Sequence, residues 1–504
     1  MKKYSLIILT LGIGLQLTAQ VDTSIKTLIV FFDGLRPDYI TPELMPNVYA
    51  FSKQGSYGKQ HHSVFPTVTR VNSSSYSTGS YPGTNGIMGN TVYFPQVDPL
   101  KGLNTGEANE LNRITEATHG NLLTAISLGE ALEKAGQRMM VFSSGSSGQA
   151  LLQNHKVGRG AIVNTSMILP AEFKETLVKV LGPIPAHGKP NSAQHKWVTD
   201  ALIQFGFASD GPLVNAIWFS DPDGAAHSDG IGSPNANASI RSVDEQFGRI
   251  IKALEEKGMS KRVNIIISTD HGFVTKKGKL GIADFLIQKG LKQSKESDDI
   301  VAAEGALYIK HKDTAIIRKV VEALQQENWV GAIFTKGTKR GDQKGWVSGT
   351  LSFESIHWNH PERAADILVD ENWNDDKNEA GYAGASFARG VAGHGGFSPY
   401  EVHIALLAKG PSFKELFESN LPTSNVDIAP TVLSIYKIPA PKTMEGRAFK
   451  ELLKQTKESA PSVKQERVET STLVGGIKYK LILDISVVEK NRYINYAKTE
   501  RVAQ

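Results

Sequence analysis

The sequence predicts an α/β fold built on a mostly parallel sheet with helices on both faces. Three observations predict it. The runs Thr27 to Phe32, Val214 to Phe219 and Val263 to Ile267 are continuously apolar and rich in β-branched and aromatic residues, as strands buried on both faces are. Stretches with helical spacing lie between such runs, notably Ile240, Val243, Phe247, Ile250, Ile251 and Leu254, closed by Gly258. Each run is followed at once by acids or histidines, and open α/β sheets bind their ligands beyond the carboxyl ends of the strands.

At 504 residues the chain has room for one large core with insertions. Met1-Lys2-Lys3, an apolar run from Leu6 to Leu17 and Thr18-Ala19-Gln20 have the layout of a signal peptide over residues 1–20. The expectation is therefore a secreted or periplasmic protein with no transmembrane segment once that peptide is cleaved. The chain has no cysteine, which removes disulfides, thiolate metal sites and thiol catalysis. Any metal must sit on Asp, His and hydroxyl groups. A net charge of +5 without a basic block indicates no nucleic-acid-binding surface. Nothing in the sequence sets the oligomeric state.

In chain order, the first strand ends at Asp33-Gly34. Phe65 to Gly79 reads as a turn that delivers Thr69 to the start of a Ser-rich helix, with Asn72 one turn on. Tyr81 to Gly86 is turn chemistry, followed by Ile87-Met88-Gly89-Asn90, and Pro95 to Gly120 reads as an insertion or lid. Leu122 to Ala135 predicts a helix and Met139 to Phe142 a strand. The strand Val214 to Phe219 leads to Asp221, Asp223 and His227, and the strand from Val263 leads to Asp270-His271. A smaller inserted lobe is expected over about 280–375, within a catalytic domain of 21–453. Gly381 to Gly396 is a Gly-rich loop carrying His394, Val402 to Leu407 is a strand, and Asp427 opens a late helix. Lys454 to Glu469 reads as a solvated linker, and the alternation from Ile477 to Val487 as a strand or hairpin that ends a 454–504 extension.

Asp33, Thr69, Asp223, His227, Asp270, His271 and His394 supply three carboxylates, three imidazoles and one hydroxyl. That mixture suits zinc, with manganese or iron as substitutes. Seven groups exceed one tetrahedral ion but match two ions with open positions, which can clamp both oxygens of an in-line phosphoryl displacement. Each piece alone is what loop polarity or a helix cap looks like, Thr69 included. Their joint position at strand ends points to a site. His61, His62, His155, His195, His357, His360 and His403 lack that position and read as surface or packing residues.

On these residues the chain resembles the alkaline phosphatase superfamily, and within it the type I phosphodiesterase and nucleotide pyrophosphatase group. The matching pieces are Phe32-Asp33-Gly34, Thr69-x-x-Asn72, Asp223-x-x-x-His227, Thr269-Asp270-His271-Gly272, Gly393-His394-Gly395 and Asp427-Ile428-Ala429-Pro430-Thr431, in the family's order. The resemblance implies an alkaline-phosphatase-like core and two Zn2+ ions. One would lie on Asp223, His227 and His394, the other on Asp33, Asp270, His271 and Thr69. It also implies a phosphothreonine intermediate, with the Asn72 amide and the Arg70 N–H holding a non-bridging oxygen, and a small-molecule phosphate diester or pyrophosphate as substrate.

The pattern departs from the family at Arg70, where the nucleotide pyrophosphatases typically carry an aromatic residue that frames a base. A guanidinium there can pair with extra negative charge on a substrate. Lys156 and Arg159 resemble in placement the basic pair of the superfamily's monoesterases, or are surface charges. Asn90 is a phosphate contact or a turn residue. Trp218, Phe65, Tyr76 and Tyr93 are either a cleft for a base or core. A phosphomonoesterase, a phosphonoacetate hydrolase, a transferase and a non-catalytic phosphoryl-ligand binder stay open as alternatives, whereas no sulfatase signature occupies the Thr69 position.

Overall fold

The computed structural model describes residues 21–456 and 461–503. The expected signal peptide, residues 1–20, lies outside them. The central sheet uses seven longer strands: β1 Lys26–Phe32, β2 Ser56–His62, β3 Met139–Ser143, β4 Ala161–Asn164, β5 Val214–Phe219, β6 Val263–Ser268 and β7 His403–Lys409. Their order across the sheet is β2-β7-β6-β1-β5-β3-β4, extended at each edge by short strands. The five strands from β6 to β4 run parallel, and β7 is antiparallel to both its neighbours.

The apolar runs have the cause the sequence suggested. Leu28, Val30 and Phe32 of β1 face one layer of helices, in which Val243, Phe247 and Ile250 of the helix Pro234–Glu256 are buried. Ile29 and Phe31 face the other layer, with Tyr76, Leu132, Ala150 and Val432. A strand with helices on both sides has no polar face to display.

Pro95 to Gly120, expected as an insertion or lid, contains a helix, Ala108–Ala117, whose Ala108, Leu111 and Ile114 form a buried stripe. Three sequence expectations are corrected. The helix expected from Leu122 starts only at Leu128, because Ser127 and Glu130 close a capping box there. The stretch from Lys454 to Glu469 is already strand from Val463 onward. The C-terminal segment is a three-stranded antiparallel sheet, Val463–Val474, Ile477–Val488 and Asn491–Ala503, whose middle strand buries Tyr479, Leu481, Leu483 and Ile485. The strand Val463–Val474 is largely polar because one face meets solvent.

Between β6 and β7 the chain builds two further sheets. One has five strands, Ile300–Ala303, Ala306–Ile309, Ile367–Glu371, Val330–Thr335 and Leu351–Ser352, and carries the helix Thr314–Gln325. Leu307, Ile333 and Ile367 belong to the same buried cluster as Ile29 and Phe31. The other has four strands, in which Val274–Gly278 pairs with Ala392–Gly393. That pairing brings the segment after His271 against the segment before His394.

Candidate metal centre and active site

Asp33, Asp223 and Asp270 leave the carboxyl ends of β1, β5 and β6, which are adjacent in the sheet with β1 in the middle. Parallel pairing fixes these ends at one level, so three carboxylates converge without any long loop. His271 follows β6 directly. His227 stands one turn past Asp223 on a short helix, Asp223–Asp229, and His394 arrives on the four-stranded sheet. Thr69 is the first residue of a fourth element, the helix α1 Thr69–Thr78.

The ligand atoms of Asp33, Asp270 and His271 lie within 4.8 Å of one another, and so do those of Asp223, His271 and His394. Asp223 Oδ1 is 3.2 Å from Nε2 of both His227 and His394. Thr69 Oγ1 is 3.3 Å from His271 Nε2, and that nitrogen is 3.0 Å from Asp270 Oδ2 and 3.6 Å from Asp33 Oδ1. All seven groups named from the sequence therefore meet in one place.

The hydrogen bonds around these groups decide what they can bind. Nδ1 of His227, His271 and His394 lies 3.0, 2.9 and 2.8 Å from the carbonyl oxygens of Ala392, Gly272 and Thr67. Each Nδ1 must therefore donate, which leaves the Nε2 lone pair aimed inward. Asp33 Oδ2 accepts from Trp218 Nε1, and Asp270 Oδ1 accepts from the Gly34 and His271 N–H groups. The inward oxygens, Asp33 Oδ1, Asp223 Oδ1 and Asp270 Oδ2, are buried without a donor. Lone pairs thus face lone pairs, an arrangement that bound cations satisfy.

The electrostatics agree. Burial, with the Asp270 and Asp223 carboxylates beside it, pushes the Asp33 carboxyl well above the usual range. Burial opposes ionisation of Asp223 and Asp270 as well, but positive charge on a neighbouring imidazole, His227 beside the first and His271 beside the second, holds both below that range, as a cation in that place would. Burial, reinforced by His271, lowers His394 to about 3, so its imidazole is neutral and free to ligate.

The other predicted residues separate. Asn72 is fully buried: its Nδ2 donates to the Val64 and Val68 carbonyls, and its Oδ1 accepts from Val64 N–H and Asn425 Nδ2. It is spent on holding the turn before Thr69 and has no donor left for a substrate. The Arg70 N–H is likewise engaged, donating to Asn90 Oδ1. Asn90 lines the cleft above the site, while the Arg70 guanidinium turns toward Asn104, Gly106 and Glu304 with a buried, unpartnered Nε.

Lys156 and Arg159 are not in the site. Their loop joins the end of the helix Ser147–Gln153 to the start of β4, where Asn154 Nδ2 reaches the carbonyl of Met139, the first residue of β3. It therefore lies at the amino end of the sheet, opposite the candidate metal ligands, and Lys156 Nζ donates to Gly120 O on the surface.

Trp218 and Tyr76 are core residues, stacked or tilted against Phe31. Phe65 is stacked on Phe397, and Tyr93 leans on Tyr308. Of the histidines set aside from the sequence, His61, His62, His195 and His360 are buried and hydrogen-bonded. Asn425 escaped sequence reasoning: it joins Asn72 to the Thr269 carbonyl and so ties α1 to the ligand loop after β6.

The cleft above the centre has a volume of about 700 Å³ and runs between His227, His394 and Asn90 below and the five-stranded lobe, through Val301, Glu304 and Leu368, above. Among the described residues no helix is long and apolar enough to cross a membrane.

The mostly parallel sheet with helices on both faces is an alkaline-phosphatase-like fold. Residues 27–375 match the model of the type I phosphodiesterase / nucleotide pyrophosphatase family, and the chain belongs to that family. It is 26% identical over 271 residues to human ectonucleotide pyrophosphatase/phosphodiesterase family member 5, a match covering 53% of this chain and about half (49%) of that relative. It is 23% identical over 414 residues to the mouse bis(5′-adenosyl)-triphosphatase enpp4, covering 81% of this chain and 77% of the other. Among solved structures, wild-type alkaline phosphatase PafA superposes with a TM-score of 0.63 at 17% identity, covering 85% of this chain and 99% of that one. An inactive variant of murine ectonucleotide pyrophosphatase / phosphodiesterase 5 in complex with AMP superposes with a TM-score of 0.61 at 19% identity, covering 85% and 100%.

Proposed function

We propose that this chain is an exported, metal-dependent hydrolase of phosphate diesters or pyrophosphates that works through a phosphothreonine on Thr69. The observation that carries the reading is the Thr69 hydroxyl, 3.3 Å from His271 Nε2 among inward carboxylate oxygens that have no donor. Asp33, Asp270, His271 and Thr69 Oγ would hold one ion, and Asp223, His227 and His394 a second, zinc suiting this mixture best and manganese or iron next. Bound there, such ions supply Lewis acidity for the attacking and departing oxygens and favour the ionised threonine.

The chain's own groups do the rest. The Thr69 hydroxyl sits at the amino end of α1, where the helix dipole favours negative charge on its oxygen. As the Oγ–P bond forms, the bond from phosphorus to the leaving oxygen breaks on the opposite side. In-line geometry places that oxygen toward His227 and His394. Water entering from the same side then cleaves the Oγ–P bond and returns the hydroxyl. Asn90, held by the Arg70 N–H, has its Nδ2 available for a non-bridging oxygen.

A diester is favoured over a monoester because the basic pair that would recognise a dianionic phosphate, Lys156 and Arg159, stands at the far end of the sheet. The test is turnover of a phosphate diester beside its matching monoester, with a chelator control. Preference for the diester, loss of activity with chelator, and loss of turnover in Thr69→Ala at unchanged metal content are expected. Activity that survives either the chelator or Thr69→Ala would refute the mechanism.

A further inference from the structure

Among the described residues five lysines and arginines line the cleft, and Lys101, Lys292, Lys295 and Arg389 each stand within ion-pair distance of an aspartate, which leaves Lys276. Lys276 lies on the strand Val274–Gly278, its backbone N–H bonded to the Val391 carbonyl. Its side chain then crosses Gly393. A Cβ added to Gly393 would lie 2.3 Å from Lys276 Cε, 2.4 Å from its Nζ and 3.3 Å from His227 Cε1. Glycine at 393 thus provides the space in which an ammonium rests beside a metal-ligand imidazole. Lys276, His227 and His394 line the same cleft.

Two carboxyl groups act on this ammonium through space, Glu371 from the strand Ile367–Glu371 and Glu401 from the turn before β7. Glu401 is already committed, accepting from the Gly396 N–H and the Ser398 hydroxyl. Among the described residues no ion pair holds Lys276, whereas its neighbour Lys277 pairs with Asp376 at 2.9 Å on the outer surface. The position of Lys276 relative to Thr69 is what gives it meaning. Thr69 Oγ stands by His271, so in-line displacement sends the leaving oxygen toward His227, where the ammonium waits.

We infer that Lys276 is a specificity-determining residue of the leaving-group side, selecting substrates whose leaving group carries a negative charge beyond the scissile oxygen, as the phosphate of a phosphoanhydride does. This rests on the proposed phosphoryl transfer at Thr69. In that step the P–O bond breaks with its electron pair on the leaving oxygen, and Lys276 pairs with the next phosphate rather than with the reacting atoms.

The experiment has two arms, both on the full, metal-loaded chain. In the first, kcat/KM is measured for a nucleoside 5′-triphosphate and for the nitrophenyl ester of the same nucleoside 5′-monophosphate, with wild type, Lys276→Gln and the surface control Lys277→Gln. Loss of a charge-assisted contact predicts a drop of about 10- to 100-fold on the triphosphate and less than about 3-fold on the aryl ester for Lys276→Gln. Lys277→Gln should leave both unchanged. In the second arm, binding of inorganic pyrophosphate is measured by calorimetry in Thr69→Ala with and without Lys276→Gln, where no turnover is needed; a weakening of about tenfold or more is expected. Equal losses on both substrates, or unchanged pyrophosphate binding, would overturn the assignment. If wild type turned over neither substrate, the hydrolase reading would fall, while the binding arm would still decide Lys276.

Discussion

At the scale of single residues, what separates the site from its surroundings is which end of a strand a side chain occupies. Lys156 and Arg159 follow a helix and precede β4, which puts them at the amino end of the sheet, and Lys156 already donates to Gly120 O. The double variant Lys156→Ala/Arg159→Ala should therefore keep kcat/KM within about twofold of wild type on any phosphate ester, since surface substitutions away from a site change little. A tenfold loss specific to monoesters would show that the pair reaches the substrate after all. The sequence could reveal Asp33, Asp223, Asp270 and His271 as candidate ligands because they come just after apolar strands, whereas His394 sits in a Gly-rich loop and Thr69 at a helix start, and only the family motif singled those two out. It could not place Asn72, because the same polar amide three residues after a nucleophile can face the substrate or the preceding turn. Only the fold shows that the Val64 and Val68 carbonyls claim it. Lys276 was hidden for a related reason: Lys276 and Lys277 are adjacent and identical, and strand alternation alone sends one into the cleft and the other to Asp376.

At the scale of elements, α1 is positioned by a polar network rather than by apolar packing alone. His61 on β2 reaches Thr423 Oγ1 through Nδ1 and Ser268 Oγ and Asn425 Oδ1 through Nε2, and Asn425 carries the chain of bonds on to Asn72. Burial, with His62 beside it, lowers the His61 imidazole to about 3. In the unfolded chain a histidine titrates near 6.5, so between about pH 6.5 and 3 the unfolded state binds a proton that the folded state refuses. The stability that neutral His61 contributes is whole above this window and is lost as pH falls through it. Conservative removal should expose that term: the unfolding free energy of His61→Gln relative to wild type should rise by on the order of 1 kcal/mol per pH unit as pH falls from 6 to 4. Urea titrations at three pH values measure it, and a difference independent of pH would mean that His61 is charged in the fold. The apolar half of this architecture was readable from the runs at β1, β5 and β6. The network was not, since His61, Asn425 and Ser268 are far apart in sequence and each is an ordinary polar residue by itself.

At the scale of the whole molecule, the three-stranded C-terminal sheet joins parts that the sequence presented as separate. Tyr479 donates to the Gly331 carbonyl in the five-stranded lobe, and Ala497 takes the Trp373 indole N–H through its carbonyl while its own N–H bonds Phe397 O. Tyr493 donates to Asp427, and Asn495 meets His62 on β2, next to the residue that buttresses α1. The same sheet buries Tyr479, Leu481, Leu483 and Ile485 in the cluster that also contains Leu307 and Ile29. Burying four such side chains is worth roughly 6–12 kcal/mol before entropy is counted, which is as large as the net stability of a typical domain. A chain ending at Thr456 should therefore not persist as a soluble, cooperative fold: it should aggregate on expression or melt more than about 10 °C below wild type. Its metal content should fall with it, because Trp373 and Phe397 flank the segments that carry His394. A truncated chain that stayed soluble, melted with the full-length protein and kept its turnover would show that this sheet is an appendage and that the catalytic core closes without it.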